Sequence, residues 1–344
     1  MHPNAKEAKD AENHLWMQTS YAFIASYKQR IGVLDRLIQN NRQQQNQQQQ
    51  SGGQRGSNHG VVEYRKLLQR FRSFLSDEEK FWTQLVLRLR RLFDLREAQP
   101  SLVALGLLAE NDDGPSASNI AIASSTVDAG EVRDGVVHIT NANGRNHFQF
   151  PPEDLSISFP PTSSEDKSTK MAILSKALIC LGDIARYREL YSESGGRPRA
   201  GQEEGSSRRG RNRRGSANET SPKARSYDKA QQCYEQARSL VPDEGNPSHQ
   251  LAILASYQKD SFTSLIHYYR ALCVRQPYDT AAENLGTVLA KALDQWRQKN
   301  RRDRDKNGPD DAQLVAKARS DLLRERIVVL HAVWRLGMEK GVLK

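Results

Sequence analysis

Apolar residues recur along much of this chain at intervals of three and four, the spacing of one face of an α-helix. From about Glu12 to Ile38, the residues Trp16, Phe23, Ile24, Tyr27, Ile31, Leu34 and Ile38 share such a face and predict a long amphipathic helix. The run Asn41 to Gln50 is nearly all Gln and Asn and leads into Ser51-Gly52-Gly53, which reads as a disordered linker. A second helix is expected from Val61 through Tyr64, Leu67, Leu68, Phe71 and Phe74. Ser76 followed by Glu79 has the form of a capping box, so a third helix is expected to start there, carrying Phe81, Trp82, Leu85, Leu89, Leu92 and Phe93 inward. Arg88, Arg90 and Arg91 between those positions read as a solvated face.

The helical period disappears from Ala109 to Asp166, where Val136 to Thr140 and His147 to Phe150 flank Asn143-Gly144 in the manner of a β-hairpin. A structureless connection of that length is uncommon, so it is read as an insertion between two helices. A central helix follows from about Ser168 to Tyr191. Ser194 to Ser226 is rich in Gly, Ser and Arg. From Tyr227 the pattern repeats: Ala230, Tyr234, Ala237 and Pro242 have the spacing of the second helix of a tetratricopeptide unit, and Leu265, Tyr269, Leu272 and Pro277 recur in the same relative places. Two stacked helix pairs are expected, with Leu181-Gly182 in the first helix of the first pair. A third pair begins at Ala281 to Gly286, and a last helix starts near Ala312, carrying Leu322, Leu323, Ile327, Leu330 and Trp334. The fold class is therefore all-α, an antiparallel helical array continuing into repeat pairs.

Composition changes this picture in few places. The 344 residues are 37% hydrophobic with a net charge of +10. Ser194 to Arg225 carries a net +6 and Arg297 to Lys306 a net +4, which together account for all of it. Arg208, Arg209, Arg211, Arg213 and Arg214 stand in the first of these segments as candidate contacts to nucleic-acid phosphates, although a solubilising linker or a nuclear-import signal would read the same way. Cys180, Cys233 and Cys273 show no metal or disulfide spacing and read as buried, reduced thiols. No Walker loop, Gly-x-Ser-x-Gly or His-Glu-x-x-His is present, and lone histidines such as His249 and His267 read as structural, so neither an enzyme nor a cofactor is expected. No apolar window approaches a membrane span, no secretory signal is visible, and nucleus and cytoplasm are the expected compartments.

Two cations draw attention. Arg186 lies one turn beyond Gly182 and directly before Tyr187, well round from the stripe of Leu174, Leu178, Leu181 and Ala185. It could offer a guanidinium fork to an anion beside a side-chain-free turn, or pair with Asp183 one turn back. Lys28 sits at the edge of the first helix's stripe and could snorkel to solvent or point along a groove wall toward a ligand.

The blocks Cys180-Leu181-Gly182-Asp183-Ile184-Ala185-Arg186-Tyr187-Arg188, Gln250 to Ser256, Phe81 to Leu85 and His267 to Leu272 resemble the N-terminal domain of the ever-shorter-telomeres and SMG proteins, telomerase-activating and nonsense-mediated mRNA decay factors. The resemblance runs from about residue 12 to 296. It implies a 14-3-3-like array over 12–191 with insertions at 40–60 and 109–166, and an Arg/Gly/Ser-rich insertion at 192–226. It further implies tetratricopeptide-like repeats at 227–296, a basic linker at 297–311 and the start of a helical solenoid at 312–344. It also implies that a partner's phosphoserine is held by Lys28 and Arg186, with Tyr187 beside them; Arg36, two turns beyond Lys28, is a candidate auxiliary cation by its spacing. The function so implied is a non-enzymatic phosphoserine-binding adaptor of decay that recognises a phosphorylated partner such as the decay RNA helicase. The alternative is a telomerase-associated factor binding telomerase RNA or single-stranded telomeric DNA in telomere maintenance. A heterodimer with a related family member belongs to the same implication. Only a short polar segment precedes Glu12, and the chain ends soon after Leu330-His331-Ala332, so a partial or shortened product is expected.

Overall fold

The computed structural model describes residues 10–48, 59–109, 157–192, 225–305 and 316–339. Every regular element among them is helical, with one isolated bridge between Glu244 and Gln276. The first helical segment has three parts: α1 (Ala11–Leu15), a π-helical turn (Trp16–Ser20) and α2 (Tyr21–Gln48). The widened turn carries both Trp16 and Ser20 inward. Trp16 meets Trp82 edge to face at 5.6 Å. The Trp82 Nε1–H donates to Ser20 Oγ at 3.0 Å, and that hydroxyl donates to Glu78 Oε2 at 2.5 Å.

Two expectations from the sequence fail here. The Gln/Asn run does not begin a disordered linker, because α2 continues through it to Gln48. Glutamine is a good helix former, and no Gly or Pro interrupts the tract before Gly52. Nor does a new helix start at Ser76: α3 (His59–Leu92) passes through it unbroken. Phe71, Leu75, Trp82 and Val86 are fully buried at continuous helical spacing, so tertiary burial overrides the local capping signature. Arg90 and Arg91 are half-buried rather than solvated, with Arg90 donating to Gln99 Oε1 and Arg91 to the Ile157 carbonyl.

A 3-10 turn (Arg96–Ala98) leads into α4 (Gln99–Ala104), which is closed by Gly106 at φ 66°. Gly106 N donates to Val103 O at 2.8 Å and Leu107 N to Leu102 O at 2.9 Å, the paired bonds of a Schellman cap. The hairpin expected at 136–150 lies outside the described residues. Where the chain re-enters, Phe159 N donates to Leu92 O at 2.6 Å.

The central helix α5 (Ser164–Leu190) begins earlier than its periodicity suggested, because Ser163 caps it by accepting from Asp166 N at 3.1 Å. It is buried round most of its circumference, with α3 on one side and α6 (Asp228–Leu240) on the other. Tyr27 of α2 stacks on Phe71 at 4.9 Å, and Phe71 meets Tyr191 edge on at 4.9 Å, joining α2, α3 and the end of α5. The α5/α6 pair is followed by α7 (Asn246–Tyr257) with α8 (Ser261–Leu272), then α9 (Ala281–Asp305) with α10 (Ala316–Glu339). The first two are the pairs that the spacing predicts; in the third, α9 runs on to Asp305, so residues 297–305 of the expected basic linker are helical. Their close approach rests on small residues, Ala230 and Ala237 in α6, Ala252 in α7 and Ala271 in α8, all buried.

His249 is buried, stacked on Tyr278 at 4.5 Å and bonded through Nε2 to Asn284 at 2.9 Å. Burial holds its pKa down at about 4. Cys180 and Cys233 are buried, and burial pushes the Cys233 thiol up to about 12. Cys273, which follows α8, is exposed, contrary to the expectation for it.

The α5/α6 contact is tight at Gly182, where an added Cβ would stand 2.5 Å from Cε1 and 2.8 Å from Cδ1 of the Tyr234 ring. Helix propensity alone makes Gly182→Ala stabilising by about 1 kcal/mol. The clash reverses the sign, and a net loss of about 1–3 kcal/mol is expected from overpacking. Chemical denaturation of the variant measures it.

Candidate functional site

The space beside Gly182 is filled by Tyr234, and this decides the surroundings of Arg186. Arg186 is 7% exposed and Asp183 is 9% exposed. The guanidinium Nη2 donates to Asp183 Oδ1 at 2.8 Å, Nε to the Tyr234 hydroxyl at 3.3 Å and Nη1 to the Tyr257 hydroxyl at 3.4 Å. The Tyr234 hydroxyl donates to the same Asp183 oxygen at 2.5 Å. Of the two sequence readings of Arg186, the pairing with Asp183 is present, inside the protein rather than on a helix surface, and the room beside Gly182 expected for an anion holds the Tyr234 ring instead.

The electrostatics follow from this burial. Desolvation works against the guanidinium's charge, yet Asp183 together with the tyrosines outweighs it and keeps the Arg186 pKa well above its ordinary value. Burial and the neighbouring Asp183 carboxylate push the Tyr234 hydroxyl well up, so it stays a protonated donor. Burial also raises Tyr187, against the pull of the Arg186 cation.

Lys28 comes to the same place from α2. Its Nζ lies 5.2 Å from the centroid of the Tyr187 ring, and the Arg186 Cζ lies 4.6 Å from that centroid. Lys28 from α2 and Arg186 from α5 thus each lie beside the Tyr187 ring. Arg36 is not part of this group: it is exposed, and its Nε donates to Gly32 O of its own helix at 3.3 Å. Arg208, Arg209, Arg211, Arg213 and Arg214 lie outside the described residues.

The sequence reading missed Tyr234 and Tyr257 as partners of Arg186. The signal for Tyr234 was available, since a large aromatic on the helix facing Gly182 must occupy the room that the glycine leaves. Tyr257 carried no such signal. A second charge cluster also went unseen: Glu79 of α3, 9% exposed, is contacted by Arg188 of α5 and Lys229 of α6, which ties three helices at one carboxylate.

Among the described residues the chain is an all-helical scaffold of paired helices. Residues 10–192 match the family described as telomerase activating protein Est1, and residues 230–333 match the Est1 DNA/RNA binding domain. The chain belongs to the Est1 family. It is 40% identical over 116 residues to the nonsense-mediated mRNA decay factor SMG7 of Arabidopsis thaliana, 34% of this chain and 8% of that protein. It is 32% identical over 128 residues to the telomerase-binding protein EST1A of Danio rerio, 37% of this chain and 6% of that one. It is 35% identical over 122 residues to Danio rerio SMG7, 36% of this chain and 7% of that protein. The matched region is thus less than a tenth of each of these three relatives. Among the described residues no helix is long and apolar enough to cross a membrane.

Removing one partner of a buried ion pair strands the other. Arg186→Ala is therefore expected to lower stability by about 3–5 kcal/mol, whereas Lys28→Ala at its half-buried site changes it by less than about 1 kcal/mol. Paired denaturation curves distinguish the two.

Proposed function

We propose that this chain is a non-enzymatic adaptor of nonsense-mediated mRNA decay, acting in nucleus and cytoplasm. Its task is to bind a phosphoserine of a partner, in particular the decay RNA helicase, at Lys28, Arg186 and Tyr187. The observation that supports it most is the convergence of the Lys28 ammonium and the Arg186 guanidinium on the single Tyr187 ring, at 5.2 Å and 4.6 Å. A phosphate near neutral pH brings a charge of about −1.5 to −2. Lys28 supplies a point charge to it. The Nη1 edge of Arg186, whose bond to Tyr257 is the longest of the three at 3.4 Å, turns to the phosphate while Nη2 stays on Asp183. Each charge-assisted bond contributes about 1.5–3 kcal/mol. The relatives named as decay factors support the decay setting.

Burial also selects the variant for the test. Arg186→Glu would set a second carboxylate against Asp183 inside the protein and unfold the site, so Lys28→Glu is the informative change. A phosphoserine peptide and its unmodified twin are titrated against both proteins. Wild type is expected to prefer the phosphopeptide, and Lys28→Glu to abolish the preference while retaining its circular dichroism. Equal affinity of wild type for both peptides sinks the reading.

The match of residues 230–333 to a DNA/RNA binding domain favours a second reading, contact with telomerase RNA or single-stranded telomeric DNA. In it, Arg208 to Arg214 neutralise phosphates and release counterions. Deleting that stretch is expected to weaken RNA binding and flatten its salt dependence, measured as log K against log salt. An unchanged slope removes the stretch from the interface.

A further inference from the structure

The outer flank of the α2/α3 hairpin is apolar and cationic at once. Phe23, Val33 and Leu37 of α2 and Val62 of α3 are 56%, 43%, 52% and 47% exposed. Between the helices opens a groove of about 670 Å³, floored by Val33, Leu34, Val62 and Leu67. Its rim carries Arg30, Lys66 and Arg70 against one acid, Glu63. Among the described residues none of these three cations is drawn into an ion pair. Arg30 lies about 200° round α2 from Lys28, so the groove faces away from Tyr187 and is separate from the phosphate candidate. The apolar row from Phe23 to Leu37 rises about 21 Å, about four helical turns.

We propose that this groove docks an amphipathic helix of a partner protein, with its apolar face on Val33 and Val62 and its acidic flank against Arg30, Lys66 and Arg70. A channel between two antiparallel helices accepts a third by seating its side-chain ridge, and the row's length suits a helix of that extent. Charge selects the partner. A second copy of the chain would bring the same three cations across a two-fold contact, where like charges repel. A nucleic-acid strand would satisfy the cations but set its phosphates against the aliphatic floor, which gains nothing from them. An acidic amphipathic helix covers both features.

The test titrates the full chain, by fluorescence anisotropy, with a labelled synthetic helix bearing Leu at i, i+3, i+4 and i+7 and Glu elsewhere. A twin peptide carries Lys in place of Glu. The Glu peptide is expected to bind saturably and to weaken about tenfold in roughly 1 M salt, where the Debye length falls to about 3 Å. Lys66→Glu with Arg70→Glu should weaken it comparably and let the Lys peptide bind instead, and Val62→Asp should weaken the Glu peptide. All three positions are exposed, so each variant should keep its helical circular dichroism. The proposal is overturned if the Glu peptide does not bind, or if it binds the variants as it binds wild type. It is equally overturned if wild type sediments as a dimer that Val62→Asp dissociates, or if the charge reversals abolish single-stranded RNA binding and leave peptide binding intact.

Discussion

Arg186 keeps a positive charge inside the helical stack, and the helices around it are placed by what that charge requires. A buried guanidinium is tolerated only when its donors are matched. Here the matches come from Asp183 on its own helix, Tyr234 on α6 and Tyr257 on α7. Gly182 makes the arrangement sterically accessible by admitting the Tyr234 ring against the α5 backbone. The two segments that match Est1 family regions are therefore joined through one side chain, since Arg186 belongs to the first and both tyrosines to the second. Sliding α6 or α7 along α5 would leave a charged group short of partners.

The same constraint shapes the candidate site. Arg186 is anchored at Nη2 and Nε, and its Nη1 edge rests on the Tyr257 hydroxyl, its longest bond. In the proposed phosphate role, such an anchored fork would discriminate by geometry and Lys28 of α2 would add charge that adapts. Glu79, gripped by Arg188 and Lys229, performs a related task further along, closing α3 onto α5 and α6. Helix α2 then presents two unlike flanks: Lys28 toward the Tyr187 ring, and the Arg30 side toward an exposed apolar groove.

Where the sequence misled, a local signal competed with burial. Ser76 and Glu79 have the spacing of a capping box, but Leu75 and Trp82 are fully buried on either side of them and hold the helix continuous. The Gln/Asn tract lacks any apolar periodicity, yet glutamine costs a helix little, so α2 extends through it to Gln48. Arg90 and Arg91 looked like a solvated face because the segments they tie down, at Gln99 and Ile157, are adjacent only in the folded chain. Cys273 follows α8 at a place where the packing leaves it open.

Periodicity, glycine and alanine placement and the spacing of the prolines were enough to establish an all-helical chain with paired repeats, because those signals act within a few turns of one helix. They left Lys28 and Arg186 with open readings, and a shared site with Tyr187 was implied only by the family resemblance. Whether Arg186 sits at a surface or inside was beyond them, since its partners Tyr234 and Tyr257 are 48 and 71 residues away in sequence. The meeting of Lys28 with Tyr187 was beyond them too. Burial and charge pairing depend on which helices pack together, and only the tertiary structure decides that.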